Sequence, residues 1–303
     1  MSVWLGCAIW AYKDWVGDLF PPGSQSKDFL SLYSRRFTAV EGNTTFYSIP
    51  DAATIQRWAT ATPPGFKFCP KLPRTLTHQG LLTPAIPETL AFLDRMQGLG
   101  DRLGVVFAQL PPSYSPRDLG DLTTFLQAVS GRQAAERQVA LAVEVRHLDW
   151  FEPEPSQRLN DLLEKFGVAR VLLDTRPIYD CPDDPQIASE RRKPKVPMQP
   201  VLTAPFSLIR YISHPEMQYN EPFLQGWVGQ IEQWLQQSRQ VYFFVHCPVE
   251  ERSPRTARCF QQLLEQQLLE QHEVAVPPLP WNVIEANSSA SLSGSSATQL
   301  RLF

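Results

Sequence analysis

Residues 37–50 read Phe-Thr-Ala-Val-Glu-Gly-Asn-Thr-Thr-Phe-Tyr-Ser-Ile-Pro. Thr38, Ala39 and Val40 form a short buried-strand signal, which changes abruptly to Glu41, Asn43, Thr44 and Thr45. Polar groups at the end of a core strand are costly unless they face a cleft or one another. Phe46 and Tyr47 then supply apolar walls, and Pro50 with Asp51 stops the loop before a helix. A short apolar strand, a polar outcrop at its C-terminal end and a helical stretch make up one unit.

Outward from that stretch the unit repeats. Strands are predicted at about 3–9, 38–42, 66–71, 103–110, 139–145, 168–173, 207–211 and 241–245. Helices are predicted at about 26–36, 51–61, 87–97, 117–129, 155–166, 221–237 and 253–270. Crossover-length connections predict a parallel sheet, and eight strands is the number that closes into a (β/α)8 barrel. The alternative is a doubly wound open sheet. No G-x-G-x-x-G follows the first strand and no P-loop appears, so the nucleotide-binding form of that alternative gains nothing. The predicted fold is α/β, a single (β/α)8 TIM-like barrel over residues 1–275.

Composition narrows the function classes. Of 303 residues 43% are hydrophobic and 19% charged, which describes an ordinary globular chain able to bury a large core. Net charge −3 gives no overall attraction to phosphate backbones, so direct nucleic-acid binding is expected to be weak or absent. Cys7, Cys69, Cys181, Cys247 and Cys259 form no C-x-x-C pair and fit reduced thiols. The start, Met1-Ser2-Val3-Trp4, lacks a signal-peptide pattern, and no stretch is long enough to span a membrane. The expected compartment is the cytoplasm.

In a barrel the C-terminal strand ends share one face, which predicts that Glu41, Lys71, Glu144, Arg146, Asp174, Arg210 and His246 converge. Glu41 or Glu144 is read as the general acid or base, with Lys71 and Arg210 stabilising developing negative charge. The bland alternative is a salt-bridge network that closes the barrel top. Trp10, Tyr12, Phe46, Tyr47 and Trp150 are placed to stack a sugar or base, with Asn43 and His147 beside them. Arg252, Ser253 and Arg255 open the last helix, where N–H groups and the helix dipole favour phosphate. The basic run 191–195 reads as a lid over an anionic substrate. A divalent metal would need His147, Asp174, His246 and Glu144 to assemble from different strands; no H-x-x-x-H or H-E-x-x-H spacing is present. No metal ligand and no cofactor are therefore assigned.

Several segments resemble the YecE-like family, a domain of unknown function. They are Gly6 with Trp10, Tyr12, Trp15 and Gly17; Val40-Glu41 with Asn43 and Thr45-Phe46-Tyr47; and Arg57-Trp58. Further matches are Phe66-Lys67-Phe68 with Lys71, Pro73-Arg74 and Thr77-His78; Gln109-Leu110-Pro111-Pro112-Ser113; Glu144-Val145-Arg146-His147 with Trp150-Phe151; and Asp174. The resemblance covers roughly residues 3–268 and implies a TIM-like barrel, without implying a reaction. The chain departs from the family pattern after strands seven and eight. Arg210 is followed by Tyr211 and Ile212 where the family has Arg-x-His, and His246 and Cys247 stand where it has paired asparagines. Thr256 replaces a third.

The functional expectation is an enzyme using acid/base chemistry on a small phosphorylated, sugar-like or nucleotide-like substrate. The alternatives are a non-catalytic ligand- or protein-binding adaptor, and a metal-dependent hydrolase or isomerase. Residues 276–298 read as a flexible Pro/Ser-rich linker, with too little apolar surface to fold. The tail Gln299-Leu300-Arg301-Leu302-Phe303 resembles the Gln-Leu-x-Leu-Phe peptide by which bacterial replication and repair proteins dock on the sliding clamp. Leu302 and Phe303 suit an apolar pocket, and Gln299 an anchor.

Overall fold

A computed structural model describes residues 3–131, 139–189, 192–270 and 278–281. Arg191, His272 and the tail residues Gln299, Leu300, Leu302 and Phe303 lie outside the described residues.

Among the described residues there are eight strands: β1 (Val3–Cys7), β2 (Ala39–Gly42), β3 (Lys67–Pro70), β4 (Val106–Gln109), β5 (Leu141–Glu144), β6 (Ala169–Asp174), β7 (Phe206–Ile212) and β8 (Gln240–His246). The α-helices in the first half are α1 (Phe29–Tyr33), α2 (Thr44–Tyr47), α3 (Ala52–Ala61), α4 (Arg74–Thr77), α5 (Ile86–Met96) and α6 (Leu119–Gly131). They continue with α7 (Pro153–Phe166), α8 (Arg176–Tyr179), α9 (Glu221–Gln236) and α10 (Ser253–Glu270). Sequence logic is visible locally. Asp51 caps α3 by accepting the Thr54 N–H at 2.7 Å, and Gly167, at φ 63°, ends α7 in the left-handed conformation that glycine adopts without strain.

The sheet is parallel and curled but is not one closed eight-stranded ladder. Six strands run in the order β1-β8-β7-β6-β5-β4, and β2 and β3 form a separate pair. At the β1–β2 seam side chains replace ladder bonds. The Tyr33 hydroxyl accepts the Cys7 N–H at 2.6 Å and donates to the Ala39 carbonyl at 3.0 Å, while Thr38 Oγ1 accepts the Leu5 N–H at 2.8 Å. Gly6 makes the close approach feasible, since a Cβ there would lie 1.8 Å from the Ala39 oxygen. At the β3–β4 seam isolated bonds remain, Gly104 N–H to Phe68 O and Leu72 N–H to Phe107 O, and Pro70 has no N–H to donate. The expected closed barrel is thus corrected to a six-stranded half-barrel with a two-stranded companion.

Strand parity divides the core in two. Ala39, Cys69, Phe107, Ala142, Leu208 and Phe244 share a cluster inside the curl. Val40, Val143, Leu172, Ile209, Phe243 and the helices' apolar stripes make the larger outer cluster. On five strands the last inward apolar residue is followed two positions later by a polar one on the same face: Ala39 by Glu41, Phe107 by Gln109, Ala142 by Glu144, Leu208 by Arg210 and Phe244 by His246. A charged layer therefore caps an apolar one.

The folded unit extends past residue 275. Leu279 and Trp281, assigned from sequence to the linker, are buried. Trp281 meets Phe37 edge-on at 6.0 Å and lies under the Arg258 guanidinium at 4.5 Å. Burial of a side chain of this size is worth roughly 1.5–3 kcal/mol, which fixes the segment to the body.

Candidate functional site

The inward strand ends assemble a continuous polar network. Arg210 of β7 grips Glu41 of β2 with two bonds of 2.8 Å, and its third nitrogen donates to Glu144 of β5 at 2.5 Å. Arg146 donates to Glu144 at 2.6 Å and to Gln109 Oε1 at 2.5 Å. Lys71 Nζ donates to that same Gln109 oxygen at 2.8 Å and stands 3.7 Å from the centre of the Phe46 ring. His246 Nε2 lies 2.9 Å from Glu41 Oε2. Glu41, Glu144, Lys71, Arg210 and His246 are all buried. The Arg210 guanidinium rests over the Phe107 ring at 5.6 Å, so the charged layer sits directly on the apolar one.

Electrostatics separates the members. Burial alone would raise Glu41, but Arg210 and His246 outweigh it and hold the carboxyl well below its ordinary range. Glu144 follows the same logic: burial opposes, Arg146 and Arg210 win, and the group is brought down to about 2. Both carboxylates are ionised at neutral pH and have their oxygens occupied by guanidinium donors. His246 is pushed down to about 4, by burial first, against the pull of Glu41, so it is neutral and its Nε2–H donates to Glu41. Lys71 is lowered to about 7, mainly by burial and then by Arg210, with Glu144 and Glu41 opposing. Lys71 is thus the member of the network poised to change protonation near neutrality.

The other expected site residues are placed differently. Asp174 is buried but faces the helix layer. Its oxygens accept the Arg176 backbone N–H and both ends of the Arg176 guanidinium, at 2.8–3.1 Å, and the Trp227 indole N–H at 2.8 Å. The expectation that it lines the cavity with Glu41 is corrected by parity, since Ala169, Val171 and Leu173 take the other face of β6. His147, next to the inward Arg146, turns out and accepts the Asp149 N–H at 3.2 Å. Trp10 packs edge-on against Trp58 and Phe68, Tyr12 against Trp15, and Trp150 is fully buried, so these rings are wall material. Asn43 donates to the Ala8 carbonyl at 3.1 Å and ties β2 to β1. Phe46 and Tyr47 do border a cleft, with Tyr47 73% exposed.

The phosphate site expected at the last helix does not form as drawn. A 3₁₀ turn over Glu250–Arg252 precedes α10, and its first turn carries two carboxylates, Glu250 and Glu251. Arg255 is turned to Asp18 at 3.1 Å, and Arg252 is exposed. The metal set His147, Asp174, His246 and Glu144 does not gather either. Among the described residues one trio, Cys181, Asp183 and His214, has its ligand atoms within 4.8 Å of one another. His214 Nδ1 there accepts the Glu216 N–H at 2.9 Å, which leaves the proton on Nε2, facing Asp183 at 3.1 Å. That nitrogen serves Asp183 as a donor and has no lone pair to offer a cation.

Three residues of the site escaped the sequence reading. Gln109 is the hinge between Lys71 and Arg146, and the alternation Val105, Phe107, Gln109 on one face was the available signal. Lys193, inside the basic run expected to form a lid, is half-buried and lowered by burial and by Arg210, with Glu41 and Glu250 opposing. Glu250 is raised to about 8 by burial, and its Oε1 is buried without a hydrogen bond. No local pattern announces it, because only the fold brings residue 250 beside residue 193.

Fold and site define a parallel α/β protein with a buried, charge-dense layer at its C-terminal strand ends. Residues 4–282 match the family model described as "Protein of unknown function DUF72", and the chain belongs to that family. It is 36% identical to the UPF0759 protein YecE of Escherichia coli strain K12 over 281 residues, covering 92% of this chain and 97% of that protein. The UPF0759 protein YunF of Bacillus subtilis is 23% identical over 265 residues, 79% of this chain and 86% of that protein. Among solved structures, a DUF72 family protein from Thermotoga maritima superposes with TM-score 0.64 at 20% identity, covering 88% of this chain and all of the other. One from Enterococcus faecalis gives 0.65 at 16% identity, over 86% and 95%. These likenesses carry the fold. Among the described residues no helix is long and apolar enough to cross a membrane.

Proposed function

We propose that this protein is an enzyme that moves a proton to or from a small anionic substrate, with Lys71 as the proton-transfer group. One observation carries the reading: a 5% exposed amine, brought to about 7, at the end of a network in which both carboxylates are already committed to guanidiniums. A base near neutrality combines a useful neutral fraction with useful basicity. Gln109 aims the amine, because its oxygen accepts from Lys71 and Arg146 together. Glu41 and Glu144 are positioning residues in this scheme, and the role of base passes from them to Lys71. Arg210 is likewise spent on the two carboxylates, and Arg146 on Glu144 and Gln109, so stabilisation of negative charge on the substrate falls to Lys193.

The substrate is anionic because the local charge count favours it. Two guanidiniums, Arg210 and Arg146, match two carboxylates, Glu41 and Glu144, and protonated Lys71 is then a surplus cation. NMR titration of labelled lysine side chains, with Lys71→Arg to assign the signal, tests the reading. An apparent pKa near 7 is expected, and an ordinary value of about 10.4 would remove the base. A cytoplasmic location is proposed with it, supported by five cysteines without a C-x-x-C pair. The terminal peptide supports a tether to the sliding clamp, checked by clamp binding to the full chain and to a Leu302→Ala, Phe303→Ala chain. Equal binding by both, or none by either, would sink the tether.

A further inference from the structure

A cleft of about 630 Å³ opens beside the network, lined among others by Phe46, Tyr47, Ile49, Arg74 and His78. That is within the ordinary range for small-molecule sites, roughly 300–1,000 Å³. The Phe46 ring belongs to both places: it borders the cleft and lies 3.7 Å from Lys71 Nζ. The Phe46 ring thus separates the cleft from the proposed base by the thickness of one ring, and Lys71 itself does not line the cleft.

The lining is built from two kinds of group left unused by the fold. Tyr47 is 73% exposed and Ile49 42% exposed, on the same lip. Tyr47 meets the Phe46 ring in a T-shaped contact at 5.2 Å, and most of its surface is exposed. One exposed apolar side chain is ordinary, but two sharing the rim of one concavity make a patch that a ligand would cover. Arg74 is exposed, and among the described residues its guanidinium makes no hydrogen bond and no ion pair. The interior is electropositive: His78 is brought down to about 4 by burial, then by Lys71, Arg146 and Arg74. The imidazole stands edge-on to Phe46 at 5.2 Å and is neutral at pH 7, so it adds an aromatic wall without a charge.

We infer that this cleft is the subsite for the non-reacting half of the substrate, and that it takes a planar aromatic ring joined through a short linker to an oxyanion. The ring packs on Tyr47 and Phe46, and the oxyanion takes the fork of Arg74. Aromatic side chains accept any π-face, whereas a guanidinium selects planar or tetrahedral oxyanions with two parallel donors. A nucleoside monophosphate has both halves; a sugar phosphate has the anion alone. Binding energy collected on the ring is then available to hold the reacting end against Lys71. The inference rests on the proposed proton-transfer reading only for the identity of the neighbour.

The test is titration calorimetry of the full chain with adenosine 5′-monophosphate, adenosine, glucose 6-phosphate and inorganic phosphate. Adenosine monophosphate is expected to bind at least tenfold more tightly than each of the others. Tyr47→Ala, at an exposed position that leaves folding intact, should weaken adenosine monophosphate and adenosine about tenfold and spare phosphate. Arg74→Ala should weaken adenosine monophosphate about tenfold and spare adenosine. Absence of binding at millimolar concentration, glucose 6-phosphate binding as tightly as the nucleotide, or indifference to Tyr47→Ala overturns the inference. A single-stranded oligonucleotide binding far more tightly than the mononucleotide also overturns it, in favour of a nucleic-acid strand. The Lys71 titration in the same samples separates the two claims: a pKa near 7 with no nucleotide binding rejects the subsite and keeps the base.

Discussion

Glu41 and Asp174 make an instructive pair. Both are fully buried carboxylates at strand C-termini, and each is gripped by an arginine through two bonds. Asp174 closes its account locally: Arg176 is two residues on, and Trp227 of α9 fills the remaining oxygen position. Glu41 is bound across the molecule by Arg210, 169 residues away, and through it to Glu144, Arg146, Gln109 and Lys71. The local pair pins a loop to the helix layer. The long-range pair sets the electrostatics of an amine at the edge of a cleft. Which of these a strand-end carboxylate becomes depends on the face it takes.

The largest effect that would sharpen this contrast is expected from Arg210→Met. It strands Glu41 and Glu144 without their shared cation, and removal of one partner from a buried ion pair costs about 3–5 kcal/mol. Urea unfolding should show it as a lowered midpoint, and a loss below about 1 kcal/mol would mean that the carboxylates find other partners. Next comes acidification. His246 takes up its proton near 6.5 when unfolded and near 4 when folded, so the unfolded state binds more protons between these values. The His246 contribution is complete above pH 6.5 and is lost as pH drops to about 4, by up to about 3 kcal/mol. His246→Asn should flatten that slope; an unchanged slope would assign it to other groups. Glu41 and Glu144, with folded values below their ordinary ones, add their own loss only below about pH 4.5.

Asp174→Asn should cost less, about 1–3 kcal/mol, since the site keeps its shape but loses charge-assisted bonds. Its informative readout is the Lys71 titration, which should not move. A titration shift completes the comparison. Glu144→Gln removes a carboxylate that holds the Lys71 proton, so the Lys71 midpoint should drop further below 7. If Asp174→Asn shifts Lys71 as much as Glu144→Gln does, the division between the two carboxylates fails.

Much of the fold and part of the site could be read directly. Eight strands, their parallel sense and the helices between them follow from periodicity, and all eight lie where apolar runs placed them. Convergence of Glu41, Lys71, Glu144, Arg146, Arg210 and His246 follows from strand-end position, and their hydrogen bonds join them in one network. Asp174 was misplaced although the same sequence held the correction, because Ala169, Val171 and Leu173 already occupy the inner face of β6. The helix start near Ser253 and Pro254 was legible, but the Asp18 partner of Arg255 lies 237 residues away and leaves no trace in the local pattern.

The sequence by itself determined the strand and helix units, the strand-end polarity and the family, since each is a property of neighbouring residues and their spacing. Tertiary structure alone decided where the sheet opens, because Tyr33 and Thr38 intercept backbone groups that a closed ladder would have used. It also decided which group titrates. Lys71 differs from an exposed lysine only through burial beside Arg210 and the bond to Gln109, and pKa is set by what surrounds a group in space, whatever its place in the chain.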